Sequence, residues 1–92
     1  MSTEKKSIKL IIKNRLGLHA RAAASLVQMT NKFHSNIYIE KDGQVINGKS
    51  ILGVMMLAAA KGHEIRVTAE GIDSNNAIES IRELVENKFG EE

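Results

Sequence analysis

Seven consecutive residues, Gly17-Leu18-His19-Ala20-Arg21-Ala22-Ala23, carry the most reactive combination of side chains in the sequence. A neutral imidazole is a nucleophile near pH 7, and no other side chain titrates there unperturbed. His19 precedes a run of helix formers, so it falls at a helix start. The unpaired N–H groups there, and the positive end of the helix macrodipole, favour an added negative charge. Arg21 supplies a permanent cation whose planar fork can hold phosphoryl oxygens in pairs. Phosphoryl transfer through His19, assisted by Arg21, is the chemistry this arrangement suits. The same residues also fit a plainer role, with His19 a surface N-cap, and local composition alone does not choose between the two.

Ser50 opens a second helix, where its hydroxyl can satisfy a free backbone N–H; such caps contribute about 0.5–2 kcal/mol. Ile51, Leu52 and Met55 follow it. Helical spacing makes Val54, Leu57 and Ala58 the natural core face and leaves some of Ile51, Leu52 and Met55 near the surface, although all three also fit a core. The stretch Gly43-Gln44-Val45-Ile46-Asn47-Gly48-Lys49-Ser50 has the spacing of a phosphate-binding P-loop. Its context is wrong, because Gly43 falls in a hairpin turn and Gln44 to Asn47 reads as a strand. ATP hydrolysis is therefore not expected. His34 lies in a polar loop and His63 beside a turn glycine, both read as bystanders.

The elements that must position these residues follow from periodicity. Ser7 to Lys13 reads as a strand, with Ile8, Leu10 and Ile12 on one face. After a loop from Asn14 to Leu18, a helix runs from about Ala20 to Asn31. Its stripe of Ala20, Ala23, Ala24 and Val27 is small enough for close approach to a sheet. Ile37 to Lys41 is a strand, Asp42-Gly43 a two-residue hairpin turn, and Gln44 to Asn47 the returning strand. The Ser50 helix is expected to reach about Ala60, with Gly62 as its stop. Glu64 to Glu70 is a fourth strand. A last helix, capped by Asp73 or Ser74, runs to about Lys88 with Ala77, Ile78, Ile81, Leu84 and Val85 inward. Asn87 to Glu92 is expected to fray, and Glu79, Glu83, Glu86, Glu91 and Glu92 to form a solvated face and tail. Strands with one apolar face each imply an α+β, two-layer architecture, one side of the sheet covered by helices and the other open.

The 92 residues suffice for one domain, taken as 1–92. Without cysteine the chain has no disulfide framework or thiolate metal site, and its histidines show no metal-ligand spacing. No apolar run approaches the length of about 20 residues that a membrane span requires. The polar start from Met1 to Lys6 lacks the apolar core of a secretory signal, so a cytoplasmic protein is expected. The formal net charge of +2 is unevenly spread: residues 1–63 carry ten Lys or Arg against three acids, and residues 64–92 carry three against eight. The basic part suits an anionic ligand or an acidic protein partner. An aromatic fraction of 3% argues against a base-stacking surface, so nucleic acid ranks last among the partners.

The sequence resembles HPr, the histidine-containing phosphocarrier of the bacterial phosphoenolpyruvate-dependent phosphotransferase system. The likeness rests on Gly17-Leu18-His19-Ala20-Arg21, on Asn47-Gly48-Lys49-Ser50-Ile51-Leu52-Gly53-Val54-Met55, on Ala59-Ala60-Lys61-Gly62 and on Ala69-Glu70-Gly71. It implies an open-faced β-sandwich, with four antiparallel strands and three helices on one face. It further implies that His19 accepts the phosphoryl group through Nδ1 and that Arg21 assists. Ser50 matches a regulatory serine, modified in some bacteria by HPr kinase/phosphorylase; Ile51, Leu52 and Met55 match an apolar docking patch. Enzyme I is then the donor and enzyme IIA the acceptor. The chain would be a monomeric covalent carrier rather than a free-standing enzyme, with no cofactor of its own and no nucleic-acid or membrane partner. A regulatory paralogue, acting mainly by phosphorylation-dependent protein binding, is the alternative. One departure stands out: the family usually has proline where this chain has Ala22.

Overall fold

The computed structural model describes residues 4–91. Its elements are β1 (Lys5–Ile11), α1 (Ala20–Thr30), β2 (Asn36–Lys41), β3 (Gln44–Asn47), α2 (Ile51–Met56), β4 (Glu64–Glu70) and α3 (Ser74–Glu86), followed by a 3-10 turn at Lys88–Gly90. The strands form one antiparallel sheet in the order β1-β4-β2-β3. Alternation along the strands puts Leu10, Ile37, Ile39, Ile65, Val67 and Ala69 on the helix-covered face, where they meet Leu26, Val54, Ile81 and Val85. Lys5, Ser7, Lys9, Tyr38, Arg66 and Thr68 lie on alternate strand positions and belong to the open face. The α+β architecture expected from periodicity and resemblance is therefore present. Among the described residues, no helix is long and apolar enough to cross a membrane.

β2 begins one residue early, at Asn36, and larger differences at β1, α1, α2 and α3 have visible reasons. β1 begins and ends two residues early, because its ladder stops where Ile11 pairs with Glu64. Ile12 stays buried and instead bonds through its backbone to His63 and Gly62 at 2.9 and 2.8 Å. α1 ends at Thr30, with Asn31 its C-cap, and its inner face is rotated toward Ala22, Ala23, Leu26 and Thr30. Ala20 is exposed, and Ala24 and Val27 are only half-buried. α2 stops at Met56, well short of Ala60, because Ala58 turns into the left-handed region at φ 50°. That reversal exposes Ala58, which the periodicity placed in the core, and buries Ala59 in its stead. α3 ends at Glu86, where a turn carries Lys88 and Phe89 at φ 58° and 55°.

The hairpin is as the sequence dictates. Asp42 and Gly43 both have positive φ, at 51° and 84°, the pattern of a type I′ turn. Gly43 thus sits in a turn and Gln44–Asn47 in β3, so this stretch is not a P-loop.

Candidate functional site

His19 is the N-cap of α1, with extended backbone (φ −71°, ψ −179°). Gly17 sets up the approach. Its φ of +68° is left-handed, and a Cβ there would lie 2.5 Å from the Ala59 carbonyl oxygen. Glycine therefore lets the loop press against the turn after α2, where the Leu18 N–H donates to that same carbonyl at 2.9 Å. Leu18 is buried and anchors the loop, leaving His19 half-exposed at the helix start.

The two nitrogens of the His19 ring face different groups. Nε2 lies 2.8 Å from Oε2 of Glu91. The Glu91 carboxyl is held below its ordinary range, first by a hydrogen bond from Asn14, then by the hydrogen bond and charge of His19 and the positive charge of Arg21, against an opposing effect of burial. An ionised carboxylate can only accept, so Nε2 must carry the proton of that hydrogen bond. In the neutral ring this leaves Nδ1 with the free lone pair. Nδ1 sits 3.4 Å from the Arg21 backbone N–H, a long contact that turns it toward the helix start. The His19 carbonyl accepts from the Ala23 N–H at 2.8 Å, while the Ala22 N–H has no partner among the described residues. The nitrogen free to act as nucleophile thus faces the part of the helix best able to receive an anion.

Glu91 is held from behind. Asn14 is fully buried and donates both to Glu91 Oε1 at 3.0 Å and to the Gly17 carbonyl at 2.7 Å. One amide therefore joins the loop before His19 to the chain's last turn. Phe89 is buried in the core and fixes that turn. This corrects two expectations: the segment from Asn87 does not fray through its described part, and Glu91 is not a solvated tail residue. Glu92 lies outside the described residues. Sequence reasoning missed Glu91 and Asn14 because their contacts span 72 and 77 positions. The available clue was Phe89, a large apolar side chain in an otherwise polar terminus.

A shallow cavity of about 660 Å³ opens here, lined by Arg15, Leu16, His19, Arg21, Phe89 and Glu91 among others. The structure thus brings Arg21 together with His19. Ser50 is the N-cap of α2, its hydroxyl accepting from the Gly53 N–H at 3.0 Å. Ile51, Leu52 and Met55 are exposed at 43%, 67% and 41%, and Met56 joins them at 61%. They do not contribute to the core, which α2 meets through Val54 and Leu57. The other histidines are used locally: His63 Nδ1 accepts from the Ala60 N–H, and the His34 N–H donates to Asp73. Asp73 precedes α3 without capping it through its side chain. It binds Ser35 and the His34 backbone instead, which lowers its carboxyl to about 2.

Residues 6–87 match the family described as PTS HPr component phosphorylation site. The chain is 51% identical over 83 residues to the phosphocarrier protein HPr of Xylella fastidiosa, covering 90% of this chain and 93% of that one. It superimposes on the crystal structure of HPr-C-His from Thermoanaerobacter tengcongensis with a TM-score of 0.92 and 47% identity, covering 95% and 98% of the two chains. A second crystal structure from that organism, described as an HPr dimer, gives 0.76 and 46% over 94% and 99%.

Proposed function

The chain belongs to the HPr family of the phosphotransferase system, and from that membership we propose that it carries a phosphoryl group on His19 from enzyme I to an enzyme IIA. The observation that carries the reading is the division of the His19 ring between Glu91 and the start of α1. Nδ1 attacks the phosphorus of phosphorylated enzyme I, the bond from phosphorus to the donor residue breaks, and a P–N bond to His19 forms. Arg21 neutralises part of the arriving charge, and the free N–H groups of the helix start take up more of it. The exposed Ile51, Leu52 and Met55 are the docking patch, extended by Met56. Phosphorylation of Ser50 by HPr kinase/phosphorylase places charge beside that patch and regulates transfer. The carrier acts as a cytoplasmic monomer of one domain.

The test is incubation with enzyme I, magnesium and phosphoenolpyruvate, followed by intact-mass measurement. The protein should gain one acid-labile phosphoryl group. His19→Ala should gain none, while His34→Ala and His63→Ala should behave as the parent. Labelling of His19→Ala would overturn the reading.

A further inference from the structure

The geometry points to Arg15 as a second phosphoryl-binding residue, lining the His19 cavity together with Arg21. This inference rests on the phosphocarrier reading and names a residue that the family resemblance does not single out. Arg15 and Arg21 both line the cavity, together with His19 and Glu91. Among the described residues, neither guanidinium takes part in an ion pair. Arg15 is exposed, so the fold spends none of its charge on internal contacts.

Charge balance gives this second cation its purpose. A phosphoryl group brings roughly two negative charges to Nδ1. The Glu91 carboxylate already sits on the opposite edge of the ring, at 2.8 Å from Nε2. Arg21 alone leaves the loaded cavity negative, even with the imidazole protonated. Arg15 brings the loaded cavity close to neutrality. In the unloaded state the Glu91 carboxylate is engaged by His19 and Asn14, and Arg15 makes no ion pair among the described residues, so its close contact with an anion is made only after transfer. Such an interaction shifts the transfer equilibrium toward the loaded carrier and leaves the unloaded fold unaffected.

The equilibrium between phosphorylated enzyme I and this chain reads the effect directly. Arg15→Ala is compared with the parent and with Arg66→Ala, which removes the same charge from the open face of the sheet. Exposed charge pairs are worth little, so the expected shift for Arg15→Ala is about two- to fivefold toward the unloaded form. Raised salt should erase most of it. Arg15→Lys should recover part of the shift, Arg66→Ala should show none, and all three variants should melt as the parent does. An equilibrium constant unchanged in Arg15→Ala would overturn the inference, as would an equal shift in Arg66→Ala. Failure of the parent to be labelled at all would instead sink the phosphocarrier reading.

Discussion

Ser50 offers a way to separate what the fold needs from what a partner needs. Its hydroxyl accepts one hydrogen bond, from the Gly53 N–H at 3.0 Å. Ser50→Ala removes that acceptor and leaves the N–H at a half-buried helix start, at a cost of about 1 kcal/mol. For a chain of this size that is a fall in melting temperature of about 4–8 °C. Ser50→Asp keeps an acceptor in place and adds a negative charge at a helix start, so it should melt close to the parent. The transfer assay should reverse the ranking. Ser50→Ala leaves the neighbouring apolar surface unchanged and should accept from enzyme I at the parent rate. Ser50→Asp sets a carboxylate beside Ile51, Leu52 and Met55, which are 41–67% exposed. A partner covering that surface must strip water from a charge it does not pair. At the edge of an interface this costs about 1.5–3 kcal/mol, a roughly 10- to 150-fold loss in kcat/KM carried mostly by KM. Melting and steady-state transfer on the same two variants decide the matter. Ser50→Asp transferring at the parent rate would refute the docking argument; Ser50→Ala slowing as much as Ser50→Asp would show that the helix start itself is what partners require.

Glu91→Gln should lower the fraction of His19 in the Nε2–H tautomer, read from imidazole nitrogen chemical shifts, and slow transfer while leaving the fold intact. Asp73→Asn should lower stability at pH 7 by about 1–2 kcal/mol, allowing for the partial exposure of the carboxylate. Because the folded-state value is about 2 against an ordinary 3.8, this stabilisation is complete above about pH 4 and is lost as pH falls toward 2. A melting series over that range should therefore be steeper for the parent than for Asp73→Asn. Gly17→Ala sets a Cβ 2.5 Å from the Ala59 carbonyl oxygen at a left-handed φ, so calorimetry should show a loss of about 2–4 kcal/mol. Ala22→Pro deletes an N–H that has no partner among the described residues and restricts the unfolded chain. It should raise the melting temperature by a few degrees, from about 0.4–1 kcal/mol; a fall would mean that the fully buried surroundings of Ala22 leave the ring no room.

The legible parts of the molecule were those with local causes. Strand alternation placed Ile37, Ile39, Ile65 and Val67, and Asp42-Gly43 gave the hairpin its turn. Helical spacing identified Ala77, Ile78, Ile81 and Val85. The inner stripe of α1 is not fixed by spacing: four alanines among residues 20–24 fit several faces equally well, and burial of Leu26 chooses the face. The end of α2 is hidden in the sequence because alanine is a good helix former, whereas Ala58 is left-handed. What overrides its propensity is tertiary: Ala59 fills the core and its carbonyl receives the Leu18 N–H. The His19 motif was legible as chemistry, yet half of its surroundings was not. Glu91 reads as one more acid in an acidic terminus until Phe89 is seen to bury and turn the chain.

That turn bears on the proposed carrier's central difficulty, which is to hold a group firmly enough to accept it and loosely enough to pass it on. A deep pocket would secure the phosphoryl group but exclude the next enzyme. Here the ring is fixed from the side away from transfer, through Glu91 and the buried Asn14, so little of its orientation depends on contacts with the phosphoryl group itself. The interactions left for that group are the helix start and exposed guanidinium, each of modest strength in water. An incoming partner can displace them at small cost, so they add little to the barrier to departure. Precise aim of Nδ1 and weak grip on its cargo are thus supplied by different residues, half-buried Glu91 and buried Asn14 for the first and exposed ones for the second.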